Sequence, residues 1–169
     1  MKYINKHLSI EKVKAQDIAK KFGTPIYCYS YNQLKKNINN FKKSFSSFSP
    51  LVCFAIKSNT NINLITEIKK FGLGADVVSK GELMLALKAG IDPKKIVFSG
   101  VGKTSQEISY AIDKRILLIN AESKSEINEI EKIALSKKKI IDIGIRLNPN
   151  TDAKTLNQIS TGKKDNKFG

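Results

Sequence analysis

Apolar runs recur along this chain at a nearly constant interval. They begin near Leu51, Leu73, Lys95, Ile116 and Ile140, about 21 to 24 residues apart. Each is short, rich in β-branched or small residues, and ends at a polar cluster, which predicts strands buried on both faces. Between them lie stretches of helical spacing: Ile62 to Lys70, Gly81 to Leu87, Glu107 to Asp113, and Glu126 to Leu135. Ser79 with Glu82, Thr104 with Glu107, and Ser123 with Glu126 have the spacing of capping boxes, and Gly72 and Gly90 stand where two helices need a left-handed stop. Strand, helix, strand at this period predicts right-handed βαβ units and a parallel sheet. The even period, without a G-x-G-x-x-G after the first strand, favours a (β/α)8 barrel over an open doubly wound sheet. The expected fold is therefore α/β, an incomplete TIM barrel of about five βα units.

Ahead of Leu51 the pattern is weaker. Residues 1–8 carry no periodic signal. Ile10 to Lys21 predicts an amphipathic helix, opened by Ser9 and closed at Gly23. Thr24-Pro25 breaks it, and Ile26 to Tyr29 has the composition of a short strand. Ser30 and Gln33 then start a helix that runs to about Phe45, and the Ser-rich stretch from Ser44 to Pro50 predicts a loop.

The carboxyl ends of the five runs hold the candidate chemistry. The first, from Leu51 to Ile56, runs into Lys57-Ser58-Asn59; the second carries Asp76 and ends at Ser79. The third ends in Ser99-Gly100, the fourth in Asn120-Ala121-Glu122, and the fifth in Arg146-Leu147-Asn148. In a barrel these ends converge on one mouth, the C-terminal face where active sites lie. Lys57, read as a buried or half-buried amine, is a candidate Schiff-base lysine, because a desolvated amine is nucleophilic near neutral pH. Asp76 interrupts an apolar strand and needs a partner. Arg146 likewise interrupts a β-branched run and calls for a fixed anionic or polar neighbour.

Composition adds constraints rather than functions. Net charge is +15, but of 30 basic residues only Arg115 and Arg146 are arginines, and the lysines are spread over every segment. That describes a lysine-rich solvated surface, not a nucleic-acid stripe. Cys28 and Cys53 lie in apolar runs and form no metal-spaced pair, so no metal site is expected and a reducing, cytoplasmic setting fits. No run approaches the roughly 20 residues of a membrane span. Gly100-Val101-Gly102-Lys103-Thr104 has a nucleotide-loop flavour, but Val97 stands where a phosphate-cradling loop needs glycine. His7 is the only histidine, which argues against histidine-based catalysis within this chain.

Five motifs in order carry a family resemblance: A-I-K-S-N (55–59), G-A-D-V-V-S-K-G-E-L (74–83), V-F-S-G-V-G-K-T (97–104), I-R-L-N-P (145–149) and I-S-T-G-x-x-x-x-K-F-G (159–169). With them the sequence resembles the pyridoxal-phosphate-dependent decarboxylases of diaminopimelate, ornithine and arginine, which share an alanine-racemase-like barrel. G-V-G-K-T and I-S-T-G favour the diaminopimelate branch. The resemblance implies decarboxylation of meso-2,6-diaminopimelate to L-lysine, with pyridoxal 5'-phosphate held on Lys57 and with Asp76, Arg146 and Glu82 around it. A related basic amino acid as substrate, or a non-catalytic homologue, are the other readings it admits.

The same resemblance implies an N-terminal helix and strand over residues 1–30 and the N-terminal part of the cofactor-binding barrel over 31–169. The rest of the barrel and a β-domain, with the phosphate-binding and proton-donating residues, are expected beyond Gly169. The chain alone is then expected to be inactive, and the full-length enzyme to act on a small amino-acid substrate as a homodimer, without nucleic acid or membrane. The polar segment from Asn150 to Gly169 is expected to lie over the barrel mouth.

Overall fold

Alternation decides the architecture of the larger part of the chain. In the computed structural model, which describes residues 1–151, 154, 161, 162, 168 and 169, the segment from Leu51 onward forms one compact unit and Met1–Pro50 another. In the larger unit five parallel strands pair in chain order: β4 (Cys53–Ala55), β5 (Gly74–Val77), β6 (Ile96–Phe98), β7 (Leu118–Ala121) and β8 (Asp142–Ile145). Along β5 to β7 the residues Ala75, Val77, Ile96, Phe98, Ile119 and Ala121 are buried, whereas Asp76, Val97, Leu118 and Asn120 between them are half-buried. One face of the sheet is thus apolar and covered, and the other carries the polar side chains.

Four helices cover the apolar face: α3 (Ile62–Lys70), α4 (Lys80–Lys88), α5 (Ser105–Asp113) and α6 (Lys124–Ser136). Each packs beside the next, α3 on α4, α4 on α5 and α5 on α6. A doubly wound sheet would reverse its strand order and send helices to both faces. Sequential order with one helical layer is instead the geometry of a barrel wall, and the polar face is the one that turns toward the lumen. The fold is the expected one, α/β with five barrel units. The core centres on Phe98, Ile96, Ile65, Leu83 and Ile108, all fully buried, each stabilising the fold by about 1.5–3 kcal/mol relative to exposure.

Helix starts follow their capping residues. Ser79, Thr104 and Ser123 each accept a hydrogen bond from the backbone N–H three residues on. Only Thr104 forms the reciprocal box, with Glu107 returning to the Thr104 backbone. Glu82 and Glu126 reach one residue further back, to the N–H of Val78 (2.9 Å) and Glu122 (2.7 Å), and so lock the residue just after each strand to the helix that follows. Gly72 and Gly90 take the left-handed conformation expected of them.

The smaller unit departs from the sequence pattern. Residues 1–8, which carry no periodic signal, form most of an antiparallel sheet: β1 (Lys2–Ile4) pairs with β2 (His7–Ile10), and β2 with β3 (Val13–Lys14). The expected helix from Ile10 therefore starts only at Ala15, as α1 (Ala15–Phe22). Ile10 and Val13, apolar at helical spacing, are cross-strand partners either side of a tight turn in which Glu11 adopts positive φ. Ile26 to Tyr29 is not a strand; it runs without a ladder partner among the described residues. The next helix, α2 (Tyr31–Ser44), begins as expected, with Gln33 N–H bonded to Ser30 Oγ. Glu11 accepts from Ser30 Oγ (2.7 Å) and from the Asn32 backbone (2.8 Å), and these donors hold its carboxyl below the usual value. No helix among the described residues is long and apolar enough to cross a membrane.

Candidate active site

Strand ends β4 to β8 and the turns that leave them define one polar end of the larger unit. Lys57 follows the first core strand in the turn that leaves it, rather than standing on the strand itself. The strand stops at Ala55, and Lys57 lies in a 3-10 turn (Ile56–Ser58). Ile56 points into the core and is fully buried, so Lys57, its neighbour, is turned outward. Its side chain is exposed rather than buried, and its amine has no hydrogen bond or ion pair among the described residues.

Asp76 lies on the neighbouring strand β5, on the lumen side, opposite Ala55. Ser99 Oγ, at the exit of β6, donates to Asp76 Oδ1 at 2.6 Å, and Asn120 Nδ2 on β7 donates to Ser99 Oγ at 3.0 Å. Asp76 thus has the partner its position required. Burial pushes the nearby Cys53 thiol up, and the charge of Asp76 adds to that. Gly144, across from Asn120 on β8, is a glycine for a local reason: a Cβ there would overlap Asn120 Oδ1.

At the far end of the mouth, Arg146 Nη1 donates to Glu122 Oε1 at 3.1 Å. The guanidinium carbon stands 4.1 Å from the centre of the Phe168 ring, and the Gly169 N–H reaches Glu122 Oε2 at 3.3 Å. The Glu122 side chain is only 5% exposed, so its charge is matched by the arginine rather than by water. Phe168 and Gly169 thus stand beside the exits of β7 and β8. Most of the polar segment between Asn150 and Phe168 lies outside the described residues, so its expected place over the mouth is not described.

Sequence reasoning passed over Lys103. Its side chain is 1% exposed, and its ammonium donates to Gly100 O (2.7 Å), Asn120 O (2.6 Å) and Glu126 Oε1 (3.1 Å), over the face of Phe98. Gly100 and Gly102, both at positive φ, fold the loop so that the lysine turns inward instead of toward a phosphate. The Lys103 side chain is thus a buried clamp between the exits of β6 and β7. The signal was present in the sequence as a lysine directly before the helix cap Thr104, with Glu126 three residues after the cap Ser123 of the next unit.

Glu82 holds Val78 N–H with Oε2, and Oε1 has no partner among the described residues. Glu107 caps two helices at once, accepting from Thr104 and from the Lys80 backbone. Burial pushes its carboxyl up, but these backbone donors, the Thr104 hydroxyl and the charge of Lys103 bring it below the usual value. Of the four expected site residues, Lys57, Asp76 and Glu82 belong to neighbouring βα units, while Arg146 directly follows β8, the far edge strand of the five. The turn that carries Lys57 packs beside β5 and α4, but no hydrogen bond or ion pair among the described residues joins Lys57 to the other three.

A barrel wall whose C-terminal end gathers an accessible amine, a fixed carboxylate and a guanidinium belongs to the class of barrel enzymes that work at the strand exits. The particular family follows from comparison. The family of pyridoxal-dependent decarboxylases, through the model of its pyridoxal binding domain, matches residues 31–169, and the chain belongs to that family. A diaminopimelate decarboxylase of Aquifex aeolicus is 43% identical over 169 residues, covering 100% of this chain and 40% of the relative. The crystal structure of diaminopimelate decarboxylase from Helicobacter pylori, complexed with L-lysine, superposes with a TM-score of 0.88 at 45% identity, over 91% of this chain and 39% of that one. The diaminopimelate decarboxylase of M. jannaschii, also in complex with L-lysine, gives 0.92 at 37% identity, over 99% and 40%. The chain thus spans about 40% of the length of the relatives it matches.

Proposed function

We propose that this chain carries the cofactor lysine of a diaminopimelate decarboxylase, which releases carbon dioxide from meso-2,6-diaminopimelate and leaves L-lysine. The observation that carries the reading is Lys57, an exposed and unpaired amine at the exit of the first barrel strand in a chain of the pyridoxal-binding family. Relatives named for this activity, two of them in complex with L-lysine, support the substrate. On this reading residues 31–169 are the N-terminal part of the cofactor barrel, with 1–30 ahead of it, in a cytoplasmic enzyme that works as a homodimer on a small amino acid.

The residues present suit the cofactor. An aldehyde needs an accessible amine, and Lys57 is one. A cationic centre beside it needs a fixed carboxylate, and Asp76 has one oxygen held by Ser99 and the other without a partner among the described residues. When bound, pyridoxal 5'-phosphate supplies a carbonyl that captures amines and a ring that takes up the electron pair left as carbon dioxide departs. Lys57 would hold it and yield to the substrate amine. Asp76 and Arg146 would keep the charge pattern around it, and Glu82 would fix the strand exit beside Asp76 through Val78.

The test is a carbon dioxide and lysine assay on the full-length gene product. Decarboxylation of meso-diaminopimelate, lost in Lys57→Ala, is the expected result. Faster turnover of ornithine or arginine would move the substrate assignment, and retained activity in Lys57→Ala would overturn the reading.

A further inference from the structure

Three polar side chains on the lumen face stand in a line across β5, β6 and β7, and their chemistry gives the line a direction. The Asn120 amide nitrogen can only donate, and it donates to Ser99 Oγ at 3.0 Å. A hydroxyl has a single proton to give, and Ser99 gives it to Asp76 Oδ1 at 2.6 Å. The line therefore ends on a carboxylate, and the short last bond is of the charge-assisted kind. Asp76 Oδ2 has no partner among the described residues.

The line is also anchored at its far end. Lys103 holds the Asn120 backbone carbonyl at 2.6 Å, and Gly144 leaves the space in which Asn120 Oδ1 sits. We propose that Ser99 and Asn120 are positioning residues that act through Asp76. They fix its carboxylate by Oδ1, so that Oδ2 is presented to a cation at the mouth, the amine of Lys57 or a protonated nitrogen of the cofactor. This rests on the functional reading above.

A purely structural line, serving only to satisfy half-buried polar groups, would stabilise the sheet without regard to what Asp76 does. A coupling experiment separates the two. In the full-length apoprotein, pyridoxal phosphate affinity is titrated by absorbance for wild type, Ser99→Ala, Asp76→Asn and the double variant. Removing a hydrogen bond to a charged group should weaken affinity about tenfold in Ser99→Ala. The same substitution should have no further effect once Asp76 is Asn, and Ser99→Thr, which keeps the hydroxyl, should bind as wild type does.

Losses that multiply in the double variant, or unchanged affinity in Ser99→Ala, would overturn the inference. Should Ser99→Ala fail to fold, Asn120→Ala takes its place in the same cycle. Borohydride reduction of the wild-type complex keeps the two claims apart. Cofactor fixed at a lysine other than Lys57 defeats the functional reading, whereas uncoupled losses with Lys57 labelled defeat only this inference.

Discussion

Replacing Lys103 by methionine tests whether the buried clamp holds the strand exits together. Methionine keeps most of the apolar stem over Phe98 and removes only the ammonium. What remains is the Glu126 carboxylate, 10% exposed, with the Glu122 N–H as its one described donor, and two carbonyl oxygens, of Gly100 and Asn120, without the donor they had. Removing one partner of a buried ion pair costs about 3–5 kcal/mol, because the other charge is left uncompensated. Each carbonyl that loses its donor costs about 1–3 kcal/mol if water does not replace it. These costs overlap, since the same ammonium served all three acceptors, so about 3–5 kcal/mol is expected for the whole change.

The assay is urea unfolding of the full-length gene product, with Lys103→Met, Glu126→Gln and the double variant compared. Because the stranded charge causes much of the loss, the double variant should be less destabilised than the sum of the singles by about 1–3 kcal/mol. A Lys103→Met variant within about 1 kcal/mol of wild type, or strict additivity, would refute the reasoning and return Lys103 to the status of an incidental buried side chain.

Other expectations follow from single positions. Gly74→Ala places a Cβ against the Lys95 carbonyl oxygen and 2.9 Å from Cys53 Sγ; backbone cannot yield as a side chain does, so thermal unfolding should show a loss of at least about 1–3 kcal/mol. Asp113, between Lys137 and Lys139, has its carboxyl lowered from 3.8 to about 2, chiefly by hydrogen bonds from the two lysines. A depressed carboxylate adds stability above its unfolded value and loses it as pH falls through the folded one. Urea midpoints of Asp113→Asn and wild type should therefore differ at pH 6 and draw together between about pH 4 and pH 2. Expressed alone, residues 1–169 present β4 and β8 as sheet edges, with Ile145 64% and Leu147 81% exposed; Ile145→Lys should lower the light scattering of that polypeptide, as a charge on an edge strand opposes pairing.

The larger unit was legible because two periodic signals agreed: strands alternate inward and outward, and the last three helices, α4 to α6, are each announced by a hydroxyl with Glu three residues on. For Lys57 the sequence pattern and the structure differ in the surroundings of the side chain. A run from Leu51 to Ile56 cannot reveal that the strand stops at Ala55 and that a 3-10 turn swings Lys57 outward. The hairpins of residues 1–14 were hidden for another reason. Strands of two to four residues, nearly all exposed, leave no burial pattern to read, and their apolar residues mimic a helical face. Asp76 and Arg146 announced that they needed partners, but the partners Ser99 and Glu122 sit 23 and 24 residues away, at the exits of neighbouring strands, where only the fold brings them close.

The central claim is that Lys57 is the residue on which the cofactor is held. The direct measurement is borohydride reduction of the full-length protein in the presence of pyridoxal phosphate, followed by peptide mass mapping. One pyridoxyl group is expected, on the peptide that contains Ala55-Ile56-Lys57-Ser58, and its loss in Lys57→Ala. Labelling at any other lysine, or no stoichiometric labelling at all, would contradict it.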